Sequence, residues 1–566
     1  MKRKVEELEK GKSSTALPVD MPDTPDQSST KSDEGGIAKD FGSLTISASS
    51  EGHYLGPGSG ISFAQLTQAI MFQKDFEKEK TIAGGLMLHT NPALMLDNAS
   101  NPEDGPLPSA KRAAEVVEFY WCHSHTLYPI LDKDHFMECL DKMFSLDDED
   151  VMGLHNDSVW MFKLYMVLAI GSTAMASITI SSENEAVACW SKAMTYFNDT
   201  LSKGNIAALE CLLLLVSYSF FNRLGPDTWY LVGIASRLAL GLGWHSEKSL
   251  EAFPPEQRER YKRVFWSLYM MDRVVSTTLG RPLAIRDQDI DTNYFSVVGQ
   301  PYLEVTLHIL KLRQIAGQIL ENVYTIKTAS SATDQTRHST VNHLHHQLVE
   351  WRRTMPFPLN ESQFSLVPHL TTAWFDLNYY NLVIMLFRPS PLWPMPPQEN
   401  IRLVADAAAM ALQQFSNLCR QQKLSFNWLN LISVFTAGLT LVFITTQPDW
   451  QTNYLPAREV INDLKVCRDL LTKFAQRLPP AKACVNVITG SVHDLCSKHD
   501  SNEPSPIMQN DENANPTYSV DSVLQMFSMS NDRYYEELMA QIDPSFMADT
   551  PFEIDTTFWD ANIYTL

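Results

Sequence analysis

Three aspartates stand at alternate positions near the middle of the sequence and offer oxygen ligands for a cation. They are Asp287, Asp289 and Asp291, and their spacing imitates the start of an EF-hand calcium loop. Such a loop needs glycine at its sixth position and a bidentate glutamate at its twelfth. Here those positions hold Thr292 and Val298. The sequence therefore predicts no calcium site in this loop.

Short clusters of histidine, cysteine and glycine are further candidates for zinc or phosphate binding, but their spacing does not fit either kind of site. The segments CHSH (residues 122–125) and HLHH (residues 343–346) have no complementary pair at zinc-ligand spacing nearby, so we predict core and surface roles for them. The GPGSG segment (residues 56–60) lacks the Lys-Ser/Thr pair of a phosphate loop. No nucleophile-elbow or kinase signature appears. The eight cysteines include no C-x-x-C pair, and we interpret them as buried, reduced thiols.

One acidic segment has an enzymatic interpretation. The LDDEDV segment (residues 146–151) resembles the aspartate cluster of class I terpene cyclases, which are all-α and hold magnesium against a diphosphate. No second metal motif follows it downstream, so we predict a solvated loop between helices. The alternative function is an all-α enzyme or small-molecule-binding protein of the terpene-cyclase type.

The charge balance limits the partners of the chain. The 566 residues contain 45 Lys and Arg against 66 Asp and Glu, which gives a formal net charge of -21. A chain this acidic repels phosphate backbones on average, so we expect any nucleic-acid contact to be local or to be made by another module. The polar first thirty residues predict no signal peptide. The long apolar run at residues 429–446 is interpreted as a buried central helix and not as a membrane span.

Composition divides the chain into four parts. We predict a disordered N-terminal segment at 1–60 with one short basic helix at 2–10, a linker at 61–105, an all-α domain at 106–498 and an acidic, aromatic tail at 499–566. The predicted fold is therefore a large multi-helix domain between disordered tails. Its best helical patterns cover residues 113–120, 159–177, 207–221, 227–242, 255–279, 302–326, 374–387 and 401–419.

The helix predicted at 255–279 has clear terminal signals. Pro254 and Pro255 favour its start, and Gly280 followed by Pro282 favours its end in a left-handed residue. The apolar side chains recur at three- and four-residue steps and predict one buried face, formed by Tyr261, Val264, Phe265, Leu268, Val275 and Leu279. Beyond the helix, Arg281 and Arg286 lie beside the three aspartates, and we expect buried or half-buried ion pairs to hold this turn.

The preceding helix carries small residues. Asp227 is a predicted N-cap, and Gly233, Ala235, Ala239 and Gly241 predict a surface on which another helix can approach closely. His245 follows the helix and is expected to be a capping or core histidine.

These segments together resemble a known family. WYLVGIASRLALGLGWH (residues 229–245) and RVFWSLYMMDRVVSTTLGRPLAIRDQDID (residues 263–291) are similar to the middle homology region of fungal-specific transcription factors, the regulators with a binuclear zinc cluster. Residues 116–136, 381–391 and 53–63 resemble its opening, a later helix with an Arg-Pro step, and a short preceding motif. The family-motif residues, expected to be structural, are Trp229, Gly233, Arg237, Gly243, His245, Arg263, Trp266, Asp272, Arg273, Gly280, Arg281, Pro282 and Asp289.

The sequence differs from the family in the segment that corresponds to the DNA-binding module. The family's six-cysteine cluster is usually N-terminal, whereas this sequence has no cysteine before Cys122. No zinc ligand or direct DNA contact can be assigned to these residues, so we expect no cofactor in this chain, and zinc only through a missing N-terminal cluster. Residues 2–10 resemble the linker and short dimerising helix that follow such a cluster. We therefore hypothesise that Met1 lies downstream of a missing cluster, and that the chain forms a homo- or heterodimer.

The resemblance implies a nuclear regulator, and the tail suggests how it acts. Acidic residues surround aromatic and aliphatic side chains, so repulsion keeps these side chains solvated and available to coactivators or the transcription machinery. The candidate activation residues are Phe527, Tyr534, Leu538, Phe546, Phe552, Phe558 and Trp559. A many-helix core can also enclose a pocket for a small-molecule effector, which the sequence does not locate.

Overall fold

Helices form nearly all of the regular structure. The structure is a computed structural model that describes residues 56–60, 62–63, 67, 107–144, 148–221, 228–298, 300–325, 332–356, 367–448, 450–479 and 481–500. Within these ranges there are helices, turns and loops, and no β-strand. The predicted all-α fold class is therefore confirmed. The basic helix at 2–10 and the candidate activation residues lie outside the described residues, and the division of the chain into four parts stays a prediction.

Two sets of helices follow one another along the chain. The first set is α1 (Ala110–Tyr120), α2 (Lys133–Met143), α3 (Asp148–Asn156), α4 (Ser158–Thr179), α5 (Asn184–Met194), α6 (Phe197–Leu201), α7 (Ile206–Ser219), α8 (Thr228–Gly241), α9 (Glu247–Leu250) and α10 (Pro255–Leu279). The second set is α11 (Pro301–Val323), α12 (Asp334–Arg353), α13 (Thr372–Phe387), α14 (Gln398–Arg420), α15 (Trp428–Ile444), α16 (Trp450–Asn453), α17 (Ala457–Arg477) and α18 (Ala481–Asp500). A π-helical turn, Trp121–His125, extends α1, and 3-10 turns form at Asp287–Asp289 and Pro368–Leu370.

Most long helices pack against the next long helix along the chain. Helix α7 packs on α8, α8 on α10, α10 on α11, and this order continues through α12, α13, α14 and α15. Helix α4 joins α1 to α5 and α7, and α17 joins α15 to α18. Several helices begin at a polar side chain that accepts a backbone N–H of the first turn; these N-caps are Asp132, Asp157, Asn205, Thr371 and Asn427.

The three most apolar long helices form the interior. The run predicted as a buried central helix is α15, and the side chains of Trp428–Ile444 are mostly buried, as expected. Of the described helices, only Ser158–Thr179 is long and apolar enough to span a membrane by length and composition, and 83% of its apolar window is buried inside the protein. That degree of burial is typical of a core helix. The third such helix, α7, buries nearly every side chain from Ala208 onward.

Two local predictions are wrong. The segment at 146–151 was expected to be a loop, but α3 begins within it at Asp148. Acidic residues in a first turn interact favourably with the N-terminal end of the helix dipole, so the same charges that suggested a loop also suit a helix start. Helix α10 begins at Pro255 and ends at Leu279 as predicted, but it is buried on all sides from Val264 to Ser276, not on one face.

A glycine sets the distance between α1 and α4. A Cβ atom placed on Gly171 of α4 would lie 2.7 Å from Cγ1 of Val116 and would overlap the carbonyl oxygen of the same residue. Backbone atoms cannot move aside as a flexible side chain can. The close crossing of these two helices therefore depends on Gly171.

We predict that Gly171→Ala lowers the free energy of unfolding by about 1–3 kcal/mol, because the added methyl group forces α1 and α4 apart. Urea unfolding followed by circular dichroism measures the change. The matched control is Gly490→Ala in α18, where a Cβ would meet nothing within 4 Å. Because alanine has a higher helix propensity than glycine, this substitution should raise the free energy of unfolding by up to about 1 kcal/mol. Equal effects of the two substitutions would contradict the proposed close crossing.

Candidate functional site

A buried ion network occupies the C-terminal half of α10. The guanidinium of Arg273 is fully buried, and it donates to Asp272 Oδ2 at 2.9 Å and to Asp287 Oδ1 at 2.6 Å. Tyr269 also donates to Asp287 Oδ1 at 2.6 Å, and its ring centroid lies 3.6 Å from Cζ of Arg273. The three charged side chains of this network, Arg273, Asp272 and Asp287, therefore pair with one another.

Asp272 shapes the turn that follows α10. Its carboxylate accepts the backbone N–H of Ala284 at 3.1 Å and that of Ile285 at 3.4 Å, and it accepts the hydroxyl of Ser276 at 3.2 Å. Burial raises the pKa of Asp272 above its ordinary value, and the charge of Arg273 and these hydrogen bonds oppose that shift. These hydrogen bonds hold the residues after α10, Ala284 and Ile285, against the helix that carries Asp272.

The ion pairs expected at this turn form only in part as predicted: Arg286 pairs with one of the expected aspartates but at the surface, and Asp287 has a different partner. Arg286 pairs with Asp289 at 2.9 Å on the exposed surface, and Asp287 pairs with Arg273. Arg281 is buried with its Cζ 4.5 Å from the ring centroid of Trp229. The sequence placed Arg281 beside the acidic residues, but it could not reveal that the aromatic ring covers this side chain.

The predicted small-residue surface of α8 is only partly a packing surface. Ala235 and Ala239 are fully buried, which fits a close approach by neighbouring helices. A Cβ on Gly233 or Gly241 would meet nothing within 4 Å, so these two glycines do not serve the predicted contact.

The remaining motif residues have backbone or surface roles. His245 acts through its carbonyl oxygen, which accepts the backbone N–H groups of Asp291 and Thr292. Trp266 donates to the carbonyl of Asn293 at 3.1 Å. The other positions are Arg237, which is exposed; Arg263, which is half-buried; Gly243, at a φ of 78°; and Pro282, whose carbonyl accepts from Ser276.

A segment far away in the sequence packs against this turn. Gly56 donates its backbone N–H to the carbonyl of Leu279 at 3.1 Å, and residues 56–60 are buried. A Cβ on Gly56 would overlap the carbonyl group of Gly280, and a Cβ on Gly280 would overlap the carbonyl of Gly56. Gly280 also has a φ of 65°, the left-handed conformation predicted for it. Residues 56–60 fall in the segment predicted to be disordered; their ordered contact depends on two glycines that permit backbone-to-backbone approach.

Arg388 holds this segment from the other side. It follows α13, and its buried guanidinium donates to the carbonyl of Gly58 at 2.6 Å and to the hydroxyl of Tyr324 at 2.9 Å. The same hydroxyl donates to the carbonyl of Met385 at 2.6 Å. The three family-like segments that carry GPGSG, GRP and FRP therefore meet at one junction. Tyr324 was not predicted, because no local pattern marks it.

We predict that Arg388→Met lowers the free energy of unfolding by about 2–4 kcal/mol, because it removes the donor to the buried carbonyl of Gly58 and the donor to the buried hydroxyl of Tyr324. Chemical denaturation measures this change. The matched control is Arg402→Met, at an exposed position of α14, which is expected to change stability by less than about 0.5 kcal/mol. A variant at position 388 as stable as the control would show that the junction contributes nothing.

The CHSH segment lines a cavity inside the helical domain. The cavity has a volume of about 170 Å³, and His123 and His369 lie on its wall with ring centroids 6.2 Å apart. His369 Nε2 lies 2.7 Å from the hydroxyl of Thr126, whereas His123 Nε2 lies 3.5 Å from that of Ser425. The prediction of a core role fits His123 and His125, which are both buried. In HLHH, His343 and His346 are exposed, as a surface role requires.

Burial keeps these histidines neutral at physiological pH. It lowers the pKa of His123 to about 4 and that of His125 to about 3, and it lowers the pKa of His369 well below its ordinary value. The part of the chain that the structure describes contains no group of three or more His, Cys, Asp or Glu side chains arranged to hold a metal ion.

Acid should destabilise the domain through these groups. An unfolded histidine binds its proton near pH 6.5, whereas folded His123 binds one only near pH 4, so the unfolded state carries more protons between these values. Stability is therefore lost as the pH falls from 6.5 towards 4, by about 1–2 kcal/mol for this residue at pH 5. His123→Asn should lose less stability between pH 7 and pH 5 than the wild type in parallel urea titrations. His346→Gln, at an exposed position, is the control; an identical pH dependence in all three proteins would refute this assignment.

The comparisons with known proteins agree with the motif resemblance. Residues 117–353 match the family described as "Fungal specific transcription factor domain". "Protein STB5" of Saccharomyces cerevisiae is 29% identical over 430 residues, which are 70% of this chain and 56% of that protein. The Candida glabrata "Negative regulator of pleiotropic drug resistance STB5" is 33% identical over 239 residues, which are 40% of this chain and 24% of that protein.

A third relative extends the match. The Emericella nidulans "Positive regulator of purine utilization" is 22% identical over 588 residues, which cover 79% of this chain and 54% of that protein. The chain thus spans about half or less of the length of these relatives. The middle of the chain matches the fungal-specific transcription factor domain, and these relatives are fungal transcription regulators of the binuclear zinc-cluster family. The resemblance inferred from the motifs is confirmed; the absence of an N-terminal zinc cluster stays a prediction.

Proposed function

We propose that this protein is a nuclear transcription regulator and not an enzyme, and that its helical domain is regulatory. The match of residues 117–353 to the fungal-specific transcription factor domain carries the proposal. The family-motif residues Asp272, Arg273 and Gly280 support it, because their partners are other side chains and backbone groups of the domain. Groups used in this way stabilise a scaffold and leave little capacity to act on a substrate.

DNA recognition needs a module that these residues do not supply. With a net charge of -21, the chain as a whole is unfavourable for phosphate contact. We therefore assign DNA binding to a zinc-cluster module, located either upstream in the same polypeptide or in a homo- or heterodimer partner. Zinc belongs to that module.

The acidic tail is the proposed activation segment. Its aromatic residues are interspersed among acidic ones, a composition that suits docking of short apolar anchors into a coactivator groove. The transcription machinery or its coactivators are therefore the partners proposed for residues 499–566. Transcription regulation of a fungal metabolic or biosynthetic gene set is the corresponding biological role.

We predict that residues 499–566 fused to an unrelated DNA-binding module activate a reporter gene, because the tail would carry its own docking anchors. The combined Phe552→Ala, Phe558→Ala and Trp559→Ala variant should lose most of that activity. The measurement is reporter output normalised to the amount of fusion protein.

The control variant replaces three asparagines of the same tail, Asn510, Asn513 and Asn515, with alanine and keeps every aromatic and acidic residue. It should activate as the unmodified tail does. A silent fusion, or equal activity of the aromatic and control variants, would remove the activation function from the tail.

The terpene-cyclase alternative is not favoured. Its starting point was the acidic segment at 146–151, which in the structure overlaps the start of α3. The relatives that the chain matches are regulators, and none of those compared above is named as a cyclase.

A further inference from the structure

The cavity beside His123 is lined by helices of both sets. From the first set its wall includes the π-helical turn after α1 and parts of α7 and α10, and from the second set it includes parts of α11, α13, α14 and the start of α15. Its volume of about 170 Å³ is slightly larger than an engineered protein cavity of about 150 Å³ that accepts benzene. A molecule with a single ring therefore fits.

The charges on the wall are of one sign. Arg313 of α11 and Lys423, in the loop before α15, both line the cavity. Among the described residues of the wall there is no Asp or Glu, although the whole chain holds 66 acidic residues against 45 basic ones. A pair of cations that line one partly open cavity with no carboxylate favours an anion as the occupant.

Two polar groups on this wall also lack good partners within the described part of the chain. The Nε–H of Arg313 is inaccessible to solvent and donates to no hydrogen-bond partner there. His123 is only 5% exposed, and its two ring nitrogens have only contacts of 3.5 Å, to Ser124 and Ser425. Contacts of that length are weak hydrogen bonds. Buried donors of this kind are normally satisfied, so the wall is suited to a ligand that accepts hydrogen bonds.

The rest of the wall combines amide and hydroxyl side chains with aromatic rings and aliphatic groups. Phe220, Phe221 and Trp374 contribute rings, and Leu377, Leu424 and Leu429 contribute aliphatic groups. About as many polar as apolar residues line the cavity, so a ligand that carries both a polar group and a carbon skeleton suits it. The polar groups would fix the orientation of the ligand, and the rings would cover its carbon skeleton.

We propose that this cavity binds a small organic carboxylate with one ring, that Arg313 and Lys423 neutralise its charge, and that His123 hydrogen-bonds to it. The proposal goes beyond the regulatory function, because binding can be measured without any transcriptional readout. Since the occupant would contact helices of both sets, its binding free energy would favour the arrangement in which those helices are packed together.

The test is isothermal titration calorimetry of the full chain with benzoate, nicotinate and cyclohexanecarboxylate. Neutral benzamide and inorganic phosphate are the comparison ligands. At least one carboxylate should bind more tightly than both comparison ligands. Arg313→Gln should raise its Kd about tenfold or more, because a charge-assisted hydrogen bond is lost. Arg402→Gln, at an exposed position of α14, should leave the Kd unchanged.

A second variant keeps the test decisive if Arg313→Gln does not fold. Ser433→Phe places a ring in the cavity and keeps both cations, so it should abolish carboxylate binding while thermal unfolding stays cooperative. The proposal is overturned if none of the three carboxylates binds, if benzamide or phosphate binds as tightly, or if binding survives in the Ser433→Phe protein. None of these outcomes would affect the reporter experiment with the tail.

Discussion

The buried carboxylate of Asp272 is the constraint on which the centre of this domain depends. A charge in the interior persists only when it is paired and hydrogen-bonded, and here Arg273, Ser276 and two backbone amides meet that requirement together. Because those amides belong to the chain after Gly280, the requirement also fixes the turn. This turn forms the surface against which Gly56 packs. Arg388 holds the segment that contains Gly56 from the opposite side.

This arrangement gives the family motifs a physical role. The glycines at positions 56 and 280 permit two backbones to touch, and the arginines at 273 and 388 satisfy oxygen atoms that would otherwise be buried alone. Considered without their contacts, polar residues of this kind could suggest a catalytic site. Their partners are internal, which fits a structural scaffold better than it fits an active site.

The sequence allowed prediction of the helices because their signals are local. The pattern Pro254–Pro255 and Gly280 located both ends of α10, and the uninterrupted apolar run located α15. Contacts between distant segments carry no such signal: Arg388 and Gly58 are 330 residues apart. The outward position of Gly233, the aromatic cover on Arg281 and the cationic cavity wall likewise depend on how helices assemble, so no pattern within one helix could have indicated them.

Hydrogen exchange of the Asp272→Asn protein tests most directly whether one carboxylate organises the junction. The account predicts that the amides of Ala284 and Ile285, which bond to Asp272, and the amides of Gly56 and Ser59, which do not, lose protection together. The amide of Leu464 in the distant helix α17 should keep its protection. Loss of protection at Ala284 and Ile285 alone, with Gly56 and Ser59 unchanged, would contradict the central claim that the turn seats the N-terminal segment.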